Sequence, residues 1–165
     1  MNHASIRYLE AKRSVDDRAL SSMVRDRFLA ELPSDPSILE AGCGTGSTVT
    51  RLVEWEVESG NYVGVDVDEG VISFARSVRP AALGRMGIDV VETDRGFEIG
   101  DLSIAFETGD VFGGIFDDGQ ADALIAQSFA DLVDISKLVA TIESVLRPGG
   151  LAYLPLTFDG GTIFQ

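Results

Sequence analysis

The sequence predicts an α/β fold: a doubly wound, mainly parallel sheet with helices on both faces, a three-layer α/β/α sandwich. Three observations predict it. Short apolar runs alternate with amphipathic helical stripes five times along the chain. The first run, residues 37–41, is apolar except for Glu40, as a strand covered on both faces is. It passes over Gly42, Gly44 and Gly46 straight into a helical pattern. Glycines there let a ligand press against backbone N–H groups at the helix start.

The elements follow in order. Residues 4–13 form a short amphipathic stretch carrying Arg7, Lys12 and Arg13 beside Tyr8. Ser14-Val-Asp-Asp17 has capping-box spacing, with Asp in place of Glu. Leu20, Met23, Val24, Phe28 and Leu32 then recur at helical spacing until Pro33 stops the helix. Residues 1–33 therefore read as an N-terminal helical cap segment and 34–165 as the core. After the glycines, Val49, Leu52, Val53 and Val57 give one helical face ending near Ser59-Gly60, and residues 61–66 are a second strand ending in Asp66. Val71, Ile72, Phe74, Ala75 and Val78 make the next helix, with Pro80 interrupting or ending it. Residues 84–100 read as a small inserted hairpin turning at Asp94 to Gly96. Residues 103–110 are the third strand and 121–126 the fourth. Asp134 caps a helix with the stripe Ile135, Leu138, Val139, Ile142, Val145 and Leu146. Arg147-Pro-Gly-Gly150 stops that helix, and residues 151–157 are the fifth strand. Right-handed crossovers gather the tips of strands one to four on one edge of the sheet, where such folds bind ligands.

Composition limits the function. Thirteen basic against twenty-seven acidic residues give a net charge of −14, and only Lys12 and Lys137 are lysines. That surface repels nucleic-acid phosphate and anionic membrane. Acid-rich, lysine-poor surfaces are typical of halophiles, so a halophilic source is expected. No apolar run reaches membrane-spanning length and the N-terminus has no signal pattern, which implies a cytoplasmic protein. Cys43 is the single cysteine and His3 the single histidine, so no disulfide and no metal site are expected.

The glycine spacing selects the ligand. A dinucleotide fingerprint needs a glycine at its sixth position, which here is Ser47, and no Lys-Ser/Thr follows for a P-loop. Glu40-x-Gly42-x-Gly44-x-Gly46 resembles the first motif of class I S-adenosylmethionine-dependent methyltransferases. Gly64-Val-Asp66-Val-Asp68 resembles that family's second-strand pattern, and Leu146-Arg-Pro-Gly-Gly-Leu151 its late motif. The resemblance covers roughly residues 36–157. It implies a Rossmann-like sheet of order 3-2-1-4-5, with S-adenosylmethionine as cofactor and S-adenosylhomocysteine as product. It implies a cofactor site of Glu40, Gly42, Cys43, Gly44, Gly46, Asp66, Val67, Asp110, Val111 and Gln127. Asp66 would hold the ribose, with Asp68 as competitor, and Asp110 the adenine amino group, with the Val111 N–H at a ring nitrogen. The family's use of an N-terminal lid, and of the segment after the fourth strand, marks Tyr8, Lys12, Arg13 and Phe129 for the acceptor. No general base stands out.

Ala126-Gln127-Ser128-Phe129 lacks the Asn/Asp-Pro-Pro-Tyr/Phe box of enzymes that methylate base or glutamine amino groups, and Cys43 sits in the cofactor loop. The expected acceptor is therefore a small molecule rather than a nucleobase. Two alternatives remain open, a cofactor-binding domain without transfer activity and a nicotinamide-dependent oxidoreductase, the second disfavoured by Ser47. The family's sheet has two further strands beyond the fifth, whereas this chain reaches Gln165 just after it. The expectation is an incomplete core whose fifth strand or tail, with Leu151, Tyr153, Leu154 and Leu156, pairs with a second copy as a homodimer.

Overall fold

The computed structural model describes residues 3–156. Its helices are α1 (His3–Ala19), α2 (Ser22–Glu31), α3 (Ser47–Glu54), α4 (Glu69–Arg85) and α5 (Ile135–Val145). Its strands are β1 (Ser37–Ala41), β2 (Ser59–Asp66), β3 (Val91–Glu92), β4 (Gly96–Ile99), β5 (Asp101–Thr108), β6 (Ala121–Ile125) and β7 (Leu146–Tyr153). Among the described residues these strands form one sheet of order β3-β4-β5-β2-β1-β6-β7. The five from β5 to β7 run parallel, which is the expected 3-2-1-4-5 order. The hairpin from 84–100 is not a free insertion: β3 and β4 extend the β5 edge antiparallel. No described helix is long and apolar enough to cross a membrane.

The central strands are apolar because both faces are covered. All five residues of β6 are buried. In β1, Ile38 joins one core cluster with Tyr62, Phe106 and Leu52, while Leu39 and Ala41 join the other with Val65 and Leu124. Alternation along the strand divides them between the two faces.

Several boundaries differ from the sequence reading. Ser14 starts no helix: α1 runs unbroken through it, since nothing from His3 to Ala19 is glycine or proline. The cap lies at Ser21, whose hydroxyl accepts from the Val24 N–H at 3.4 Å. Helix α3 ends at Glu54, so Val57 lies outside it, and β2 begins at Ser59 rather than Asn61. Glu56, at φ 60°, reverses the chain between them. Pro80 does not stop α4, which continues to Arg85. The proline forgoes one helical hydrogen bond, and burial of Arg79, Pro80 and Leu83 holds the helix together. Helix α5 is capped as expected by Asp134, which accepts from Ser136 N–H and Lys137 N–H.

Arg147-Pro-Gly-Gly150 is not a turn. It is the first half of β7, which follows α5 directly and shifts register between Ala121 and Ala123. The irregularity fits its residues: Gly149 has φ 84°, and Arg147 pairs with the buried Asp122. Strand β7 ends at Tyr153, whose ring is buried against Phe28 and Trp55 rather than exposed on the sheet edge. Residues 157–165, the expected end of the fifth strand and the tail, lie outside the described residues.

Candidate functional site

Strands β1, β2, β5 and β6 end together at the carboxyl edge. Neighbours lie on both sides of β1, so the winding reverses there and leaves a crevice. Gly42, Gly44 and Gly46 all have positive φ (67°, 53° and 74°) and carry the chain from β1 into α3. The loop is braced by Cys43 N–H to Val65 O at 3.0 Å and Gly46 N–H to Cys43 O at 2.9 Å. Asp66, at the tip of β2, accepts from Gly44 N–H (3.0 Å) and from Asp68 N–H (3.0 Å). Loop and carboxylate are thus one hydrogen-bonded unit.

A cavity of about 640 Å³ lies against this unit. Glu40, Gly42, Cys43, Gly44, Asp66, Val67, Asp110, Val111 and Gln127 all line it, as do Tyr8, Arg13 and Phe129. One described residue named from the sequence does not. Gly46 faces the core: a Cβ there would sit 2.6 Å from the buried Phe106 ring. Lys12 falls on α1, with its side chain outside the described set. Asp68 caps α4 through Gly70 N–H and Val71 N–H and does not line the cavity. Asp110 turns its own loop, accepting from Phe112 N–H at 2.9 Å. The Phe129 ring covers Gly42, where a Cβ would come within 2.2 Å of it, and stacks at 6.3 Å on Phe112. Gly44 is different. A Cβ there would meet nothing nearer than Leu9 of α1, at 3.8 Å. The loop is therefore bare toward the cavity at Gly44, and the residues fit a nucleoside-bearing ligand.

Glu40 lies beneath the loop, fully buried. Its Oε1 accepts from Thr48 Oγ1 at 2.8 Å and its Oε2 from Tyr62 Oη. Burial pushes its carboxyl up to about 7, against the opposing pull of the Tyr62 and Thr48 hydroxyls and the Arg51 charge. Burial, and the neighbouring Glu40, likewise push the Tyr62 phenol up. The folded chain thus holds the Glu40 proton more tightly than the unfolded one. The stability this lends is full below pH 4.5 and lost as pH rises through about 7. The expected loss is on the order of 3 kcal/mol. Urea unfolding of wild type and Glu40→Gln between pH 4.5 and 8 checks this: the glutamine variant should lack that part of the slope. Parallel slopes would contradict it.

The sequence reading missed two buried arginines. Arg51 donates from Nε to Asp17 (2.6 Å) and from Nη1 to Gln127 Oε1 (2.7 Å) and Ser47 Oγ (3.2 Å). Arg79 donates from Nε to Thr45 O at 2.6 Å and pairs with Glu10. Burial lowers the Arg79 guanidinium from its ordinary value, opposed by Glu10; it stays charged. A signal existed for Arg79, which shares helical spacing with the buried Ile72, Ala75 and Leu83.

A family model described as a methyltransferase domain matches residues 32–154. No curated protein matches the chain. Solved structures do. One is an S-adenosyl-L-methionine-dependent methyltransferase, assigned as such provisionally, from Methanococcus maripaludis, with TM-score 0.64 and 15% identity over 92% of this chain and 62% of that one. Another is geranyl diphosphate C-methyltransferase from Streptomyces coelicolor with Mg2+, geranyl diphosphate and S-adenosyl-L-homocysteine, TM-score 0.58 and 17% identity over 82% and 45%. A third is a complex of the Haloferax volcanii Trm112 methyltransferase activator with a provisionally assigned methyltransferase, TM-score 0.56 and 22% identity over 92% and 55%. At these identities the likeness is one of fold. The chain spans about half the length of the structures it resembles.

Proposed function

The chain belongs to the methyltransferase-domain family, as a class I S-adenosylmethionine-dependent member, and from that premise we propose that it transfers a methyl group to a small-molecule acceptor in the cavity beside Gly44. The observation that carries this reading is the Gly44–Asp66 unit, a bare glycine backbone hydrogen-bonded to a strand-tip carboxylate at the mouth of one cavity. When bound, S-adenosylmethionine supplies a methyl group activated on a sulfonium. Asp66 accepts from the vicinal ribose hydroxyls. Asp110 accepts from the adenine amino group, beside Val67 and Val111. Gly44, next to Cys43, would leave backbone room for the amino-acid end, with Glu40 beneath the loop and Gln127 opposite, while Phe129 covers Gly42. Rate comes from positioning and exclusion of water, since among the described residues no side chain of the cavity is placed as a dedicated base.

The rest of the wall supports a reading of the acceptor. Tyr8, Phe112, Phe129 and Leu132 are apolar or aromatic, and Asp16 and Asp131 are acidic. Among the described residues of that wall the cation is Arg13, which is paired with Asp17 and Glu54. Such a wall favours a neutral or cationic acceptor, a phenol or an amine, over a carboxylate or phosphate. Label transfer from S-adenosylmethionine to a panel of all four classes tests this. Turnover of phenols or amines is the expected result, and turnover confined to anionic acceptors would overturn it.

A second reading is a cofactor-binding domain that acts with a partner. It is favoured by one structural relative, a provisionally assigned methyltransferase in complex with an activator protein. Self-association through the outer edge of β7, which carries no neighbouring strand among the described residues, belongs to this reading. Light scattering reads it directly.

A further inference from the structure

We propose that Arg51 and Arg79 are positioning residues that fasten helix α1 to the cofactor loop, so that the seating of α1 and cofactor affinity are coupled; this rests on the cavity being the cofactor site. Each arginine touches α1 at one end and the cavity wall at the other. Arg79, 1% exposed, joins Glu10 of α1 to the carbonyl of Thr45 in the glycine loop. Arg51, 2% exposed, joins Asp17 of α1 to Ser47 at the start of α3 and to Gln127 beyond β6. Thr45, Ser47 and Gln127 all line the cavity. Glu10 and Asp17 do not.

The spacing is what a clamp needs. Glu10 and Asp17 lie seven residues apart, two helical turns, on the same face as Ile6 and Arg13. Tyr8, Leu9, Arg13 and Asp16 of the same helix line the cavity, with Leu9 the side chain nearest Gly44. A guanidinium this deep keeps its position only with its anionic partner in place, because an unpaired buried charge is strongly unfavourable. Lifting α1 takes Glu10 from Arg79 and Asp17 from Arg51. The Thr45 carbonyl and the Gln127 amide then lose the fixed donors that orient them. By linkage the reverse holds too: a ligand that needs the ordered loop holds α1 down.

The test uses two carboxylates that do not line the cavity. In the full chain, the double variant Glu10→Ala/Asp17→Ala should bind S-adenosylhomocysteine roughly tenfold more weakly by calorimetry. The double variant Glu10→Gln/Asp17→Asn keeps acceptor oxygens for both arginines and should recover part of that loss. A wild-type dissociation constant in the folded alanine variant would overturn the proposal. A second measurement needs no variant. S-adenosylhomocysteine should slow tryptic cleavage of wild type after Arg13 and Arg18 in α1, and an unchanged cleavage rate at saturating ligand would also overturn it. If wild type binds no S-adenosylhomocysteine at all, the cofactor reading fails instead, so the two failures are distinct.

Discussion

Asp66→Ala should weaken S-adenosylhomocysteine binding by about 1.5–3 kcal/mol, roughly ten- to 150-fold in the dissociation constant. Two losses combine. The charge-assisted hydrogen bonds to the ribose hydroxyls disappear, and the Gly44 and Asp68 N–H groups lose the acceptor they now share. Asp66→Asn removes the charge but keeps one acceptor: its amide oxygen can still accept from Gly44 N–H, while its NH2 then faces the Asp68 N–H, so its affinity should fall between wild type and alanine. Calorimetry on variants with native circular dichroism measures this. An unchanged dissociation constant in folded Asp66→Ala removes Asp66 from the site.

The glycines should divide into one that serves the fold and one that serves the ligand. At Gly46 a Cβ would lie 2.6 Å from two atoms of the Phe106 ring and 3.3 Å from the Ala75 Cβ, with φ at +74°. Phe106 is fully buried and has nowhere to move. Left-handed strain and overpacking together should cost Gly46→Ala about 2–4 kcal/mol of stability. At Gly44 the same backbone strain applies, about 1–2 kcal/mol, but the side chain enters open cavity. Gly44→Val should therefore fold and lose at least about tenfold in cofactor affinity by filling the space the ligand needs. Thermal unfolding and calorimetry on both variants report the split. A Gly44→Val chain that binds normally would make the loop a plain connector.

The sequence carried the site better than the packing around it. The glycine loop, Asp66 and Asp110 were legible because a strand tip, a tight turn and a helix start each leave a local residue signature. The hairpin was legible from its turn, though not its place in the sheet, since pairing with β5 is a long-range contact. Gly46 faces Phe106 rather than the cavity, which spacing alone does not say. Asp68 was left as a rival to Asp66, and only its use as the α4 cap separates them. Arg51 and Arg79 were missed because a charged residue in a helix reads as surface unless its partners are known, and these partners lie 34 and 69 residues away. Pro80 was misread for a related reason: burial overrode local propensity. The start of β7 is exposed and was misread because an Arg-Pro-Gly-Gly run reads as a turn unless its place beside β6 is known.

On the proposed function, this cavity holds S-adenosylmethionine and its product. Thermal unfolding of the wild-type chain with S-adenosylhomocysteine or with NAD tests it most directly. At a concentration one hundred times its dissociation constant, a ligand of the native state adds about 2.7 kcal/mol. For a chain of this size that is a rise of roughly 5–10 °C. Such a rise is expected with S-adenosylhomocysteine and none with NAD. A flat curve with S-adenosylhomocysteine up to millimolar concentration, or a rise with NAD instead, would contradict it.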